Sequence, residues 1–339
     1  NCSAHDGGGA IYTGDSGTLT VTTSSFTGCS ADYGGAIYSY IDTGALTITD
    51  SVFTNCTASG NGGAIWNGGM LSSASSTFAD CQAKDGYGGA IYSAKSGRIH
   101  WMSYSTFTNC SATEGGGAIA NTGSLLVNSS TVTNCSAGFG GAIYNGRNSG
   151  SGIFDSAFTG CLATDAGGAI FNNNGSDLGI VTSSFTSCRA SGIYPEGGAI
   201  YNAGYGRIQP ISSSTFTDCQ ASGIFAAGGG AIYNAENGTI QRIASSTFTD
   251  CQASGIFAAG GAIYNAKSGT ITKIISPTFT NCQASGIFAA GGAIYNAKSG
   301  TITDTASPIF TNSQASGILE SGGAVYSSGT RLPGTGQQE

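Results

Sequence analysis

The sequence predicts an all-β chain, a right-handed single-stranded parallel β-helix (solenoid) of about twelve coils with three short strands in each. Three observations predict it. The tetrad GGA(I/V) recurs twelve times, its last residue falling at Ile11, Ile37, Ile65, Ile91, Ile119, Ile143, Ile170, Ile200, Ile232, Ile263, Ile294 and Val325. Between successive tetrads stands F-x-x-C, from Phe26 and Cys29 to Phe279 and Cys282, with Val132 once replacing the Phe and Ser313 once replacing the Cys. No unit carries an apolar i, i+3, i+4 pattern, while 57 glycines and only 9% charged residues favour strands and turns.

Each unit reads as three strand-like runs. GGAIYN comes first. An alternating stretch follows, such as Gly17 to Thr22, whose aliphatic slot holds Leu19, Leu46, Ile99, Leu125, Ile208, Ile240, Ile271 and Ile302 between mostly polar neighbours. That alternation turns the aliphatics inward. The third run is S-x-F-T. Between Phe and Cys one slot holds only Gly, Asn, Asp or Ser (Gly28, Asn55, Asp80, Asn109 and onward), mostly residues that tolerate positive φ. A one-residue bend there lets Phe and Cys both face inward although they are three apart. Pro277 and Pro308 stand two residues before an aromatic slot, which fits a strand start where no ladder donor is lost. Stacked coils place equivalent strands about 4.8 Å apart, so eleven steps predict a rod of roughly 55 Å.

The period is 24 to 28 residues at first and 30 to 32 beyond Ile170. The expected organisation is one continuous helix over 1–329, with short-loop coils over 1–187 and long-loop coils over 188–329, followed by a polar tail, 330–339. The chain opens at Asn1-Cys2 inside a repeat mark; the expectation is a segment of something longer or a subunit that stacks end to end.

The eleven cysteines fall about one to a coil, in an expected interior column. Two readings stand: free buried thiols acting as small hydrophobes, or bridges between alternate coils. Spacings of 25 to 32 residues are unlike those of zinc-binding pairs, so no metal site is expected, nor any cofactor. A net charge of −7, with 11 basic residues spread singly, argues against nucleic acid, and no apolar run is long enough to span a membrane as a helix. Asp218 and Asp250 lie on neighbouring coils at a spacing that invites comparison with a glycosidase pair. Both occupy the bend slot where Gly or Asn serves elsewhere, so turn chemistry is expected and no catalytic residue is assigned.

The alternation of GGAI with F-x-x-C, as in Phe107-Thr-Asn-Cys110 followed by Gly116-Gly-Ala-Ile119, resembles the GGAI/FxxN repeats of the chlamydial polymorphic membrane proteins over essentially the full length. Similar FTNC/GGAIYN repeats occur in large secreted proteins outside that group. The resemblance implies a β-helical, surface-exposed passenger segment, often adhesive. Here the family's closing Asn is Cys or Ser at every matching position.

Two surfaces are candidates for partners. The residue after Ile in GGAIY is aromatic in eleven coils: Tyr12, Tyr38, Trp66, Tyr92, Tyr144, Phe171, Tyr201, Tyr233, Tyr264, Tyr295 and Tyr326, with Ala120 as the gap. Such a column serves either as a ligand or partner surface or simply as structural stacking. The long loops add an apolar pair each: Ile193 and Tyr194, Ile224 and Phe225, Ile256 and Phe257, Ile287 and Phe288, Ile318 and Leu319. Aligned, these pairs would make an apolar ridge suited to a neighbouring chain. Sequons at Asn1, Asn55, Asn109, Asn128, Asn134, Asn174 and Asn237 are acceptors for N-glycosylation in a eukaryotic secretory route. The expected function is a non-catalytic extracellular structural subunit of a surface fibre, appendage or cell-wall layer, associating with itself or another surface protein. An adhesin that binds a receptor or glycan is the alternative, and a polysaccharide-active enzyme the third.

Overall fold

The computed structural model describes residues 1–14, 17–40 and 44–328; the tail expected at 330–339 lies outside the described residues. The fold is a parallel β-solenoid, and among the described residues every regular element is a strand. The chain divides into two compact units, 1–161 and 162–339. The lengthening of the loops at Cys188 falls inside the second.

In the first unit one winding comprises Ile65–Asn67, Met70–Ala74, Thr77–Ala79 and Gln82–Ala83. The first three are the expected strands. The fourth is a short ladder after the cysteine that the sequence pattern did not announce. Register is that of like on like: Ile37, Ile65, Ile91 and Ile119 pair in series, as do Phe53, Phe78 and Phe107, and Ala58, Ala83 and Ala112. All of these side chains are buried, and the phenyl rings stack with centroids 4.9 Å apart.

The second unit repeats the plan. One winding comprises Ile232–Asn234, Thr239–Ala244, Thr247–Thr249 and Gln252–Ser254. Ile200, Ile232, Ile263 and Ile294 pair in series, and so do Phe216, Phe248, Phe279 and Phe310. The middle strand departs from simple alternation. In Arg207–Ser212 and Thr239–Ala244 the buried residues are three apart, Ile208 with Ile211 and Ile240 with Ile243, leaving two consecutive residues outside. One extra residue relative to the Asp177–Val181 strand causes it, and the register shifts between Leu178 and Ile180 as a β-bulge requires. Arg98–Ser103 in the first unit carries a similar irregularity between Ile99 and Met102.

Every full winding turns at positive-φ residues. The slot of Gly, Asn, Asp and Ser predicted as a bend is one, with Asp80 at φ 53° and Asp250 at 54°. A second lies at Ser75 and Ser245, φ 50° and 47°, and was not foreseen because Ser, Asp, Thr and even Tyr104 occupy it. The next residue explains it. Ser76 Oγ donates to the Ala74 carbonyl at 2.9 Å and accepts from the Ser51 backbone N–H of the preceding winding at 3.2 Å; Ser105 and Ser130 continue that series, and in the second unit Ser183 is bonded to Ser214 and Ser214 to Ser246 in the same way. The side chain thus satisfies the donor that the bend frees. Pro277 follows Ser246 in this column, immediately before a strand, and carries no N–H to satisfy.

The third turn is the Gly-Gly pair. Gly88 sits at φ 72°, and a Cβ on Gly89 would lie 2.0 Å from the Gly117 carbonyl oxygen of the next winding. Two different constraints therefore require the two glycines. The Asn that closes GGAIYN points inward and is fully buried. Asn202, Asn234, Asn265 and Asn296 form an amide ladder, each Nδ2 donating to the next Oδ1 at 2.7–2.8 Å and to a turn carbonyl at 3.0 Å, that of Gly206, Gly238 or Gly269.

Phe248→Ala removes one ring from a stack that has nothing to collapse into, and is expected to cost about 3–5 kcal/mol. Asn234→Ala orphans buried amide partners and is expected to cost about 1–3 kcal/mol. The exposed Lys267→Ala should stay within about 0.5 kcal/mol, all read from guanidinium denaturation followed by circular dichroism.

Candidate binding surfaces

The aromatic column lies on the outer face of the GGAIYN ladder, where burial alternates Ile in, aromatic half out, Asn in. Its rings are stacked. In the second unit the Tyr201–Tyr233, Tyr233–Tyr264, Tyr264–Tyr295 and Tyr295–Tyr326 centroids lie 4.7–5.4 Å apart at interplanar angles of 7–22°. In the first unit Tyr12, Tyr38 and Trp66 stack at 5.4 and 4.4 Å, and Tyr92 is tilted against Trp66. Ring faces are turned toward one another, so interior members offer edges and hydroxyls to a partner. The gap at Ala120 is not a hole: Ala120 is fully buried and Tyr87 packs against Tyr144 at 5.1 Å.

The rings lean over the slot before each Gly-Gly. A Cβ on Gly228 would stand 2.9 Å from the Tyr233 ring and 3.0 Å from that of Tyr264, so a glycine admits the close approach. In the second unit this slot runs Ala166, Glu196, Gly228 by bridge pairing, and Ala259, Ala290, Ser321 likewise. Glu196 is the one charged residue of the slot in the whole sequence. Burial raises its carboxyl pKa, opposed by hydrogen bonding from the Tyr233 and Tyr201 hydroxyls. Burial, then the charge of Glu196, raises Tyr233 and Tyr201 in turn, while burial first and Tyr295 next push Tyr264 up to about 12.

The long loops face this column across a groove. Ile193, Tyr194, Ile224, Phe225, Phe257, Ile287, Phe288, Ile318 and Leu319 are all exposed, while Ile256 is half-buried. Phe257 stacks on Phe288 at 4.9 Å and Tyr194 on Phe225 at 5.7 Å. These are two short stacks, not one: the extra glycine of Gly228-Gly-Gly230 puts Phe225 one residue out of register, and Phe257 pairs with Ala226. Between ridge and column lies a cavity of about 360 Å³ bounded by Tyr194, Phe257 and Phe288, by Tyr233, Tyr264 and Tyr295, and by Glu196, with Gly228, Ala259 and Ala290 on its floor.

Other residues singled out in the sequence lie apart from this groove. Asp218 and Asp250 occupy left-handed bends at φ 50° and 54°; Ser187 and Gln220 donate to Asp218 at 2.9 and 3.0 Å, and Asn281 to Asp250 at 3.0 Å. His5, exposed, approaches Asp6 and Asp32 at 3.3 and 3.8 Å, and the hydrogen bond to Asp6 and the charge of Asp32 raise its pKa. His100 packs edge-on against Trp101. Asn1, Asn55, Asn109, Asn134, Asn174 and Asn237 are exposed and Asn128 half-buried. Cations that are scattered in the sequence are gathered in space: Lys95, Arg98 and Arg147 border a notch over Thr122-Gly-Ser124, where the turn is two residues shorter than its neighbours, and in the second unit Arg242 pairs with Lys273 of the next winding.

All eleven cysteines are free, ten of them buried and Cys2 exposed. Cys251 and Cys282 donate to the Phe216 and Phe248 carbonyls of the preceding winding at 3.5 Å. Burial pushes the Cys219 thiol well up, away from the reactive thiolate.

Comparison with protein families, with curated proteins and with solved structures found no match to this chain.

A chromogenic disulfide reagent should titrate one thiol, Cys2, promptly in the native protein and the ten buried thiols only in denaturant. Several fast-reacting thiols in the native state would contradict the buried column.

Proposed function

We propose that this chain is a non-catalytic, extracellular structural β-solenoid, a subunit of a surface fibre, appendage or cell-wall layer that associates with further copies of itself through the long-loop ridge. The observation that carries this reading is the ridge: nine large apolar side chains from successive loops of one unit, all exposed and partly pre-stacked. Contiguous apolar surface of that kind marks an interface. Each winding from Cys188 onward contributes one such loop, which suits a partner with the same winding repeat, such as a second copy. The carboxylates that invited an enzymatic reading are engaged in bends, which supports the non-catalytic part. A Ser/Thr/Asn-rich surface with exposed sequons and the resemblance to surface passenger repeats supports the extracellular part. Adhesion is the second reading, favoured by the groove beside the aromatic column.

Ile287→Ser combined with Ile318→Ser changes two exposed ridge residues that do not border the groove. Association measured by sedimentation velocity and electron microscopy should weaken at least tenfold, with circular dichroism unchanged. Undiminished assembly of the double variant would refute the ridge as the interface.

A further inference from the structure

We propose that the groove between the tyrosine column and the loop ridge of the second unit binds an alkylammonium group on an apolar stem, with Glu196 as its counter-ion. The proposal does not depend on self-association. Glu196 stands where the same slot elsewhere in this unit holds Ala, Gly or Ser, so the fold does not need a carboxylate there. It is also the only charged side chain bordering the groove. Glu196 is half-buried with no cation beside it in the groove, and an arriving ammonium offsets the cost of that partial desolvation at short range.

The rest of the groove fits the stem. Its walls are the rings of Tyr264, Tyr295, Phe257 and Phe288, and its floor is Ala259 and Ala290, which suits methylenes. Tyr264 and Tyr295 each stack between two ring neighbours at 4.7–5.3 Å, so both their faces are covered, while Phe257 and Phe288 cover one face of each other. On the tyrosine side the stem therefore packs against edges, and a sugar finds no open platform there. Tyr233 borders the groove together with Glu196 and offers its phenolic oxygen as a further acceptor. An ammonium brings three N–H donors and the opposite charge to a carboxylate with a phenol in the same groove, whereas a neutral alcohol brings one donor and no charge. The two stacks of the ridge break next to this end of the groove, where the inserted glycine displaces Phe225 from the register of Phe257.

The test is calorimetric titration of the full chain at fixed ionic strength with n-butylammonium and with Nα-acetyl-lysine N-methylamide, against 1-butanol and methyl glucoside as neutral probes. Both amines are expected to bind, the alcohol and the sugar at least tenfold more weakly, and Glu196→Gln to weaken the amines at least tenfold. Binding of the lysine derivative alone identifies a protein side chain as the source of the ammonium, and binding of n-butylammonium alone a free amine. Glu196→Ala places in the slot the residue found at 166, 259 and 290, so it keeps the fold and must lose the amines equally. No amine binding, equal binding of 1-butanol or the sugar, or amine binding undiminished in both variants would overturn the proposal.

Discussion

Within each unit, in-register parallel stacking is the constraint from which the other features follow. A residue placed in one winding meets its own counterpart in the next, so a column tolerates only side chains that pack against copies of themselves. Phenylalanines meet as offset rings, isoleucines as interlocking branches and asparagines as amides that are donor to one neighbour and acceptor to the other. A residue that fits its environment once but not itself is excluded. That is why the sequence is so repetitive and why its departures from the repeat carry information.

The turns obey the same rule through the backbone. Each left-handed corner frees a donor or crowds a neighbouring carbonyl, and each is answered by one residue type: a hydroxyl reaching back to the Ser51 amide, an Asn or Asp at the bend, a Gly-Gly pair where a Cβ would strike the next winding. Cysteine belongs to the same class of answers. It is small enough for the interior, its S–H finds the Phe carbonyl of the preceding winding, and in ten windings it is closed off from solvent.

Binding features arise where the repeat is broken. Lengthened loops raise a ridge beside the tyrosines, one added glycine splits that ridge, and one glutamate replaces a small residue under the rings. A shortened turn gathers three cations in the first unit by the same logic, since a deletion in one winding leaves the turns on either side standing. Insertions and deletions are cheap at the loops because the ladders beneath them are unaffected.

The residues by themselves determined the solenoid, its inward columns, the bend between Phe and Cys and the location of the apolar loops, because each is a one-dimensional repeat and stacking converts sequence period directly into spatial register. Glu196 was not singled out by the sequence pattern, although it is the only charge in the slot before the Gly-Gly pairs, because a carboxylate in a loop gives no sign of what surrounds it. Only the tertiary structure decided that the aromatic rings cover one another's faces, that serine hydroxyls hold a second bend, that the middle strands bulge, and that the ridge and the tyrosines enclose a groove around that carboxylate. Those outcomes depend on how side chains from different windings lean and meet, and that angle is set by packing in three dimensions, which no single period along the chain encodes.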